Sequence, residues 1–251
     1  MRFSREKIRA ISWCEQHKVS QLRHAQLPRT VFSAKWGDSS WEDLMFDAKA
    51  RLLIDPPLNR LGGVLARAGI SADSVTIAGL VFGLIGATFI TFGAFEWALL
   101  FILINRFADG LDGAIARASA KTGFGGYLDI TADFLFYGAI PLGFALYDPQ
   151  ANALAAGFLL LSFYVNGTSF LGYAILAEKT GMESREHGIK SLYYSNGLLE
   201  GSETIAFFVL ICLLPTSFFW AALVFGALCF VTAALRINAA RLIFTATEKD
   251  G

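Results

Sequence analysis

The sequence predicts an all-α integral membrane protein with six transmembrane helices, preceded by amphipathic helices at the membrane interface. Of its 251 residues, 55% are hydrophobic and 23 are phenylalanine, and the mean hydropathy of +0.50 is far above that of a soluble domain. Long uncharged runs alternate with short polar stretches, and Lys and Arg are confined to one set of connections. The formal net charge is zero, so overall charge gives no reason to expect nucleic acid as a partner.

The N-terminal part is predicted to be a cytosolic extension, residues 1–54, ahead of a transmembrane domain, residues 55–251. The segment SSWEDLMFDAKARLL opens with a capping-box pattern, Ser39 and Glu42, and has apolar residues at helical spacing. The Asp55-Pro-Pro57 run is expected to end this helix, and a second amphipathic segment, LNRLGGVLARAGI, follows it. Such helices either lie in the plane of the interface or pack on the cytosolic ends of the spans.

Six apolar runs are predicted to cross the membrane, because about 20 apolar residues span the hydrocarbon as a helix. The run 204–235 is too long for one helix, and Leu-Pro-Thr-Ser divides it into two. The second run looks short because a charged cluster occupies its cytosolic end. The runs are residues 74–95, 97–108, about 126–147, 151–177, and the two halves of 204–235 on either side of 214–217.

The basic residues predict the orientation of the spans. The connections around residues 96, 148 and 215 contain no Lys or Arg, whereas all 21 basic residues lie in or beside the segments of the other side. Because Lys and Arg concentrate on the cytoplasmic side of membrane proteins, both termini and the charged cluster should face the cytosol. The expected location is the bacterial inner membrane, with several passes.

Four aspartates lie on two consecutive predicted spans. Asp109 and Asp112 are three residues apart and Asp129 and Asp133 are four apart, so each pair projects from one helical face. Ionisable groups at membrane depth face a protein interior or a water-filled cavity, and four bare carboxylates would repel one another. Oxygen ligands with open positions for phosphate suit Mg²⁺ or Mn²⁺ better than zinc. The spacing therefore predicts a divalent-metal site.

Small residues separate the aspartates on the second span. Gly110, Gly113 and Ala116 leave one helical strip without bulk, which either lets a ligand approach or serves the close contact of two helices. Arg117 can offer a phosphate a planar fork of donors, or it can anchor the helix end at the interface. Beside four carboxylates, we favour a ligand.

The run Asp109-x2-Asp112-Gly113-x2-Ala116-Arg117-x7-Gly125-x3-Asp129-x3-Asp133 resembles the signature of the CDP-alcohol phosphatidyltransferase family, membrane enzymes of phospholipid synthesis. The resemblance covers about residues 55–245 and is strongest to a bacterial branch with NRxxDGLDG. It implies six transmembrane helices around a polar cavity open to the cytosol. It also implies transfer of a phospho-alcohol, commonly phosphatidyl, from a CDP-linked donor such as CDP-diacylglycerol to a hydroxyl acceptor, with release of CMP.

The resemblance implies a role for each aspartate. Asp109, Asp112 and Asp129 would hold two divalent cations, Mg²⁺ or Mn²⁺. Asp133 would complete the metal site and act as the catalytic base. Two ions at the pyrophosphate would polarise the attacked phosphorus and neutralise charge on the departing CMP, while a carboxylate takes the acceptor proton.

The resemblance also implies the surroundings of the donor. Gly113 and Ala116 would make room for the nucleotide, and Arg117 would lie near the phosphates. The expected partners are a CDP-linked lipid donor, a hydroxyl acceptor, membrane lipids and a second copy of the chain in a homodimer.

An acceptor pocket is predicted from the remaining polar groups of the last two spans. Glu200 and Glu203 lie at the cytosolic start of the fifth span, and Arg236 and Arg241 at the cytosolic end of the sixth. They either bind the acceptor or form an internal salt bridge between helices. The sequence does not choose among glycerol phosphate, serine, an inositol compound and a lipid alcohol as the acceptor.

Two other classes of membrane protein use intramembrane carboxylates. A prenyltransferase of the UbiA type binds a pyrophosphate through aspartates and Mg²⁺, but it needs more spans and lacks the Ala-Arg-then-Gly pattern. A divalent-cation transporter would be expected to show internal repeats and carboxylates at the bilayer centre. Here no repeat is visible and the aspartates lie near one membrane face.

Overall fold

A computed structural model describes residues 46–179 and 201–247, and within them the regular structure is helical throughout. This confirms the predicted all-α class. The predictions for residues 1–45 and for Glu200 lie outside the described residues. The helices are α1 (Phe46–Arg67), α2 (Ala72–Thr91), α3 (Phe95–Ala118), α4 (Gly123–Tyr147), α5 (Pro149–Lys179), α6 (Gly201–Leu213), a 3-10 turn (Pro215–Ser217) and α7 (Phe218–Thr247).

Four segments of the described chain are long and apolar enough to cross a membrane: α2, α4, α5 and Pro215–Thr245, which includes most of α7. Helix α3 has 24 residues but carries the charged cluster, and α6 has 13 residues, about 20 Å of helix. A count of six spans, which includes these two, stays a prediction. The predicted break near residues 214–217 is confirmed, because the 3-10 turn separates α6 from α7.

Side-chain caps and a glycine fix the ends of the three helices α2, α3 and α4. Ser71 Oγ accepts a hydrogen bond from the Ser74 backbone N–H (3.2 Å) at the start of α2. Gly93 adopts a φ of +73° after α2, a conformation that glycine tolerates without strain, and this reverses the chain into α3. Thr122 Oγ1 caps α4 by accepting from the Gly125 N–H at 2.9 Å. The connections on both sides of α3 are therefore short.

Helix α1 contradicts the expected stop at Asp55-Pro-Pro57, since one helix continues through both prolines and across the predicted domain boundary. The prolines are exposed, where water can satisfy the backbone groups that they leave unpaired, and their φ is compatible with a helix. Beyond them, Leu58 is buried in a cluster with residues of α3, and a Cβ on Gly62 would lie 2.7 Å from Ala114 Cβ. This half of α1 therefore packs on α3.

Helices α2, α3 and α4 pack together, and α5 packs against α7 and α4. Glycines allow α2 to approach α3, since a Cβ on Gly79 would lie 2.9 Å from Ala108 Cβ. Between the helices lies a phenylalanine-rich core, in which the largest fully buried rings are Phe136, Phe144, Phe208 and Phe218. The core fixes the face of α4 that carries Asp129 and Asp133 relative to α3.

Candidate active site

The four predicted aspartates line one cavity where α2, α3 and α4 meet. Asp109 and Asp112 come from α3, and Asp129 and Asp133 come from α4. The helix spacing explains this, because residues three or four apart share a face and the two faces meet. The sequence prediction that these side chains come together thus agrees with their placement.

Asp112 is the most buried of the four, with 5% of its surface exposed. Thr76 on α2 donates a hydrogen bond from Oγ1 to Asp112 Oδ2. Thr76 is itself 8% exposed, so this hydrogen bond lies away from bulk water, where a carboxylate without a donor would be costly. Thr76 therefore holds one candidate metal ligand in a fixed orientation.

Arg106, one helical turn before Asp109, places a positive charge among the carboxylates. Its Nη2 donates to Asp133 Oδ1 at 2.9 Å, and its Nη1 lies 3.7 Å from Asp109 Oδ2. Its Nε donates to Asn105 Oδ1 at 2.8 Å, and Asn105 Nδ2 donates to the Gly79 carbonyl oxygen at 2.8 Å. The arginine thus links α3 to α4, and through Asn105 to α2.

The donor chemistry of the cavity suits a hard divalent cation, since four carboxylates with oxygen ligands are what Mg²⁺ and Mn²⁺ prefer. Within residues 46–179 and 201–247, however, no three acidic, histidine or cysteine side chains converge closely enough to hold an ion as they are placed. Asp133 and Asp109 are engaged by Arg106, and Asp112 is engaged by Thr76. The ligand types fit the metal, and the side chains would have to turn to bind it.

A cleft of about 620 Å³ adjoins the cavity, and Thr76, Asp112 and Asp129 line both. Gly113 and Ala116 form part of its wall, as expected for residues that leave room for a ligand. The rest of its lining comes from the ends of α1 and α3, the starts of α2 and α4, and the connections between them. It includes Ser71, Asp73, Arg117, Lys121, Thr122 and Gly125.

The small residues on α3 have two different surroundings: Gly110 faces α1, and Gly113 faces the cleft. A Cβ on Gly110 would lie 2.8 Å from Leu58 Cδ2, so Gly110 allows α1 to pack on α3. At Gly113 the nearest neighbour of such a Cβ would be Arg117 Nη1, at 3.3 Å, and the space beyond belongs to the cleft. The helix contact therefore applies to Gly110, and approach of a ligand at Gly113 stays a prediction.

Arg117 is exposed at the end of α3 and lines the cleft. Its Nη2 and Nε both donate to Asn59 Oδ1 of α1, at 2.9 and 3.2 Å. Because Asn59 engages Nε and Nη2, the Nη1 group of Arg117 remains available as a donor within the described residues. A phosphate oxygen is a suitable acceptor for a guanidinium donor. The contact with α1 gives Arg117 a defined position beside the cleft.

The predicted acceptor residues do not join the aspartates in the described part of the chain, since Glu203, Arg236 and Arg241 line neither the cavity nor the cleft. Arg236 is buried, and its Nη1 donates to Asn166 Oδ1 (2.9 Å) and to Ser169 Oγ (2.8 Å) of α5. Glu203 and Arg241 are exposed. Arg236 therefore ties α7 to α5.

Three contributors were missed by the sequence analysis: Arg106, Thr76 and Asn59. Arg106 had a signal, because it is a basic residue one turn before Asp109 at a spacing that favours an ion pair. Thr76 and Asn59 had none, because their partners lie 36 and 58 residues away along the chain.

The chain matches the family model for CDP-alcohol phosphatidyltransferase over residues 70–235. It is 43% identical to the inner membrane protein YnjF of Escherichia coli over 206 residues, which are 82% of this chain and all of the relative. It is 36% identical to the phosphatidylinositol phosphate synthase of Streptomyces avermitilis over 105 residues, 41% of this chain and 43% of that protein.

A solved structure shares the fold. The crystal structure of Mycobacterium tuberculosis phosphatidylinositol phosphate synthase with CDP-DAG bound superposes with a TM-score of 0.55 at 20% identity, covering 73% of this chain and 93% of that one. The matched residues 70–235 include all four aspartates and the residues of α3 and α4 that line the cleft. The chain therefore belongs to the CDP-alcohol phosphatidyltransferase family and is an enzyme of that class.

Proposed function

We propose that the protein transfers a phosphatidyl group from CDP-diacylglycerol, or a related CDP-alcohol, to a hydroxyl acceptor and releases CMP. The observation that carries this proposal is that four carboxylates line one cavity, which adjoins a cleft of about 620 Å³ through Asp112 and Asp129. Carboxylates beside a cleft of this size support a metal site next to a space for a nucleotide. Family membership decides against the prenyltransferase and the transporter that the aspartates alone left open.

The cavity is proposed to hold two divalent cations, Mg²⁺ or Mn²⁺, through Asp109, Asp112, Asp129 and Asp133. When bound, such ions polarise the attacked phosphorus and neutralise charge on the departing CMP. Thr76 keeps Asp112 oriented by its hydrogen bond. Asp133, which is half-buried at the cavity, takes the proton of the acceptor hydroxyl.

The cleft is proposed to bind the CDP part of the donor. Gly113 and Ala116 offer a wall without bulk, and Arg117 presents donors to the phosphates from a position fixed by Asn59. Ser71 and Asp73 also line the cleft, where they can offer polar groups to the ribose and the base. Positioning of this kind is the main protein contribution to a phosphoryl transfer.

The acceptor is proposed to be a polyol or a phosphorylated polyol. Support comes from a relative named phosphatidylinositol phosphate synthase, since that name states a product that contains phosphorylated inositol. Its match covers 41% of this chain. An inositol phosphate is therefore the first acceptor to test, followed by glycerol phosphate, serine and a lipid alcohol.

The membrane placement is proposed from the sequence and from one relative. The relative that this chain covers fully is named as an inner membrane protein, and the absence of Lys and Arg from three connections favours cytosolic termini. A polytopic protein of the bacterial inner membrane, assembled as a homodimer with its cavity open to the cytosol, is the arrangement we propose.

The test is CMP release by the purified protein with Mg²⁺ or Mn²⁺, CDP-diacylglycerol and the acceptor panel, with lipid products followed by mass spectrometry. Acceptor-dependent CMP and a new phospholipid are the expected result, and a chelator should abolish both. Production of CMP that does not depend on any acceptor would contradict transfer. Failure to bind CDP-diacylglycerol would direct the search to other CDP-alcohol donors.

A further inference from the structure

We infer that Arg106 is a positioning residue that competes with a divalent cation for Asp133 and Asp109. The inference rests on the proposed function, because it concerns the proposed metal site. It goes beyond that function by giving a role to a side chain that neither holds the metal nor contacts the nucleotide cleft.

The contacts of Arg106 show that its guanidinium is held on two sides. On the cavity side it donates to Asp133 Oδ1 at 2.9 Å and lies 3.7 Å from Asp109 Oδ2. On the other side Nε donates to Asn105 Oδ1, and the guanidinium carbon lies 4.6 Å from the centre of the Phe136 ring. Only 15% of its side chain is exposed. Its position is therefore fixed even without the carboxylates.

The charge of Arg106 is permanent, because a guanidinium does not lose its proton in a protein. In a cavity lined by four carboxylates, this positive charge reduces their mutual repulsion where the membrane makes bare charges expensive. A divalent cation would reduce the repulsion more strongly, and it would bind the same carboxylate oxygens that Arg106 contacts. Asp133 Oδ1 cannot serve Arg106 and a metal equally well, so the two cations compete.

Asn105 and Phe136 hold Arg106 in place when the carboxylates rotate to bind a metal ion. They remain as partners of the guanidinium, so the positive charge stays beside the cavity rather than leaving it. A fixed like charge at this distance lowers the affinity of the site for a metal ion. Arg106 thus lowers the affinity of the site for a metal ion and, at the same time, holds Asp133 and Asp109 in a defined arrangement.

The experiment measures Mn²⁺ binding by electron paramagnetic resonance, using the purified full chain in detergent after treatment with a chelator. Arg106→Gln removes the charge, and we expect Mn²⁺ to bind about tenfold more tightly than to the wild type. Arg106→Lys keeps a charge but loses the fork that joins two carboxylates, and we expect tightening of about threefold. Equal or weaker binding by either variant would overturn the competition.

A second readout separates this role from simple loss of structure. Without metal, Arg106→Gln should unfold at a lower temperature than the wild type, and saturating Mn²⁺ should remove most of that difference. A difference that Mn²⁺ leaves unchanged would contradict the inference. Failure of the wild type to bind Mn²⁺ would instead overturn the proposed metal site, so the two ideas fail in different ways.

Discussion

Asp133 is the residue on which the proposed chemistry depends most. It shares the cavity with three other carboxylates, and Arg106 orients it. Asp133→Asn keeps the shape but cannot take a proton, so we expect turnover to fall by about 10²–10⁴-fold while donor binding is largely retained. Single-turnover CMP release, with donor binding measured separately, checks this.

Asp148→Asn is the matched control for that measurement. Asp148 is exposed, caps α5 by accepting from the Ala151 N–H at 3.0 Å, and can be replaced by Asn as a cap. Its variant should release CMP at the wild-type rate. Near-normal release by Asp133→Asn would show that another group is the base.

Thr76 acts on the proposed metal through Asp112. Thr76→Val keeps the size of the side chain but removes the hydroxyl donor, which leaves the buried carboxylate of Asp112 without this partner. Loss of such an outer-shell hydrogen bond typically costs about 10–100-fold in metal affinity or activity, so the Mn²⁺ concentration for half-maximal CMP release should rise by that factor. Thr76→Ser retains the donor and should stay close to the wild type. An unchanged Mn²⁺ requirement in Thr76→Val would contradict this role.

At the scale of the helices, the close approach of α2 to the rest of the bundle holds the site together. A Cβ on Gly83 would lie 2.6 Å from Phe136 Cδ2 and 3.0 Å from Asn105 Nδ2. Gly83→Ala should therefore separate α2 from α3 and α4, at a cost of about 1–3 kcal/mol in the free energy of unfolding. Thermal unfolding in detergent measures the loss of the helix contact. The Mn²⁺ affinity measures the effect of that loss on Arg106 and the proposed metal site.

Gly157 provides the comparison for that substitution. It lies inside α5, and no described atom comes within 4 Å of a Cβ placed on it. Gly157→Ala should leave the unfolding temperature unchanged or raise it, because alanine favours a helix over glycine by up to about 1 kcal/mol. Equal losses of stability in both variants would mean that the change to alanine, rather than the contact of α2, is responsible.

Helix α1 shows why local sequence signals can mislead about an element. Two successive prolines predict a stop, since each removes a backbone donor and crowds the preceding turn. The stop prediction considers only the local sequence, whereas Leu58 and Gly62 contact residues of α3 that lie more than 50 positions away along the chain. Hydrophobic runs and the turn at residues 214–217 are local features, and the helices that they predict are present.

At the scale of the whole molecule, the sequence predicts which residues form the site better than it predicts how they interact. The four aspartates could be assigned to one cavity because helical spacing determines the face on which each lies. The charge that accompanies them could not be assigned, because the pairing of Arg106 with Asp133 joins two helices across 27 residues. The sequence analysis therefore predicted a cation among the carboxylates and named a metal, whereas the structure also shows an arginine.

The proposed orientation makes a prediction about the whole chain. The connections that contain Thr216 and Gly123 should lie on opposite sides of the membrane, because basic residues flank only the second. Both positions are exposed, so a single cysteine at either can react with a thiol reagent that does not cross membranes. The background should be Cys14→Ser, since the other two cysteines, Cys212 and Cys229, are buried.

In intact spheroplasts, the cysteine of Thr216→Cys should be labelled, and that of Gly123→Cys should be labelled only after the membrane is opened. Thr122 and Gly125, beside Gly123, line the cleft, so this position also reports which side the nucleotide comes from. The charged nucleotide of a CDP-linked lipid does not cross the hydrocarbon unaided. The proposed reaction has this nucleotide on the cytosolic side and therefore requires protection of Gly123→Cys. Labelling of Gly123→Cys in intact spheroplasts would place the cleft outside, and the cytosolic orientation would be wrong.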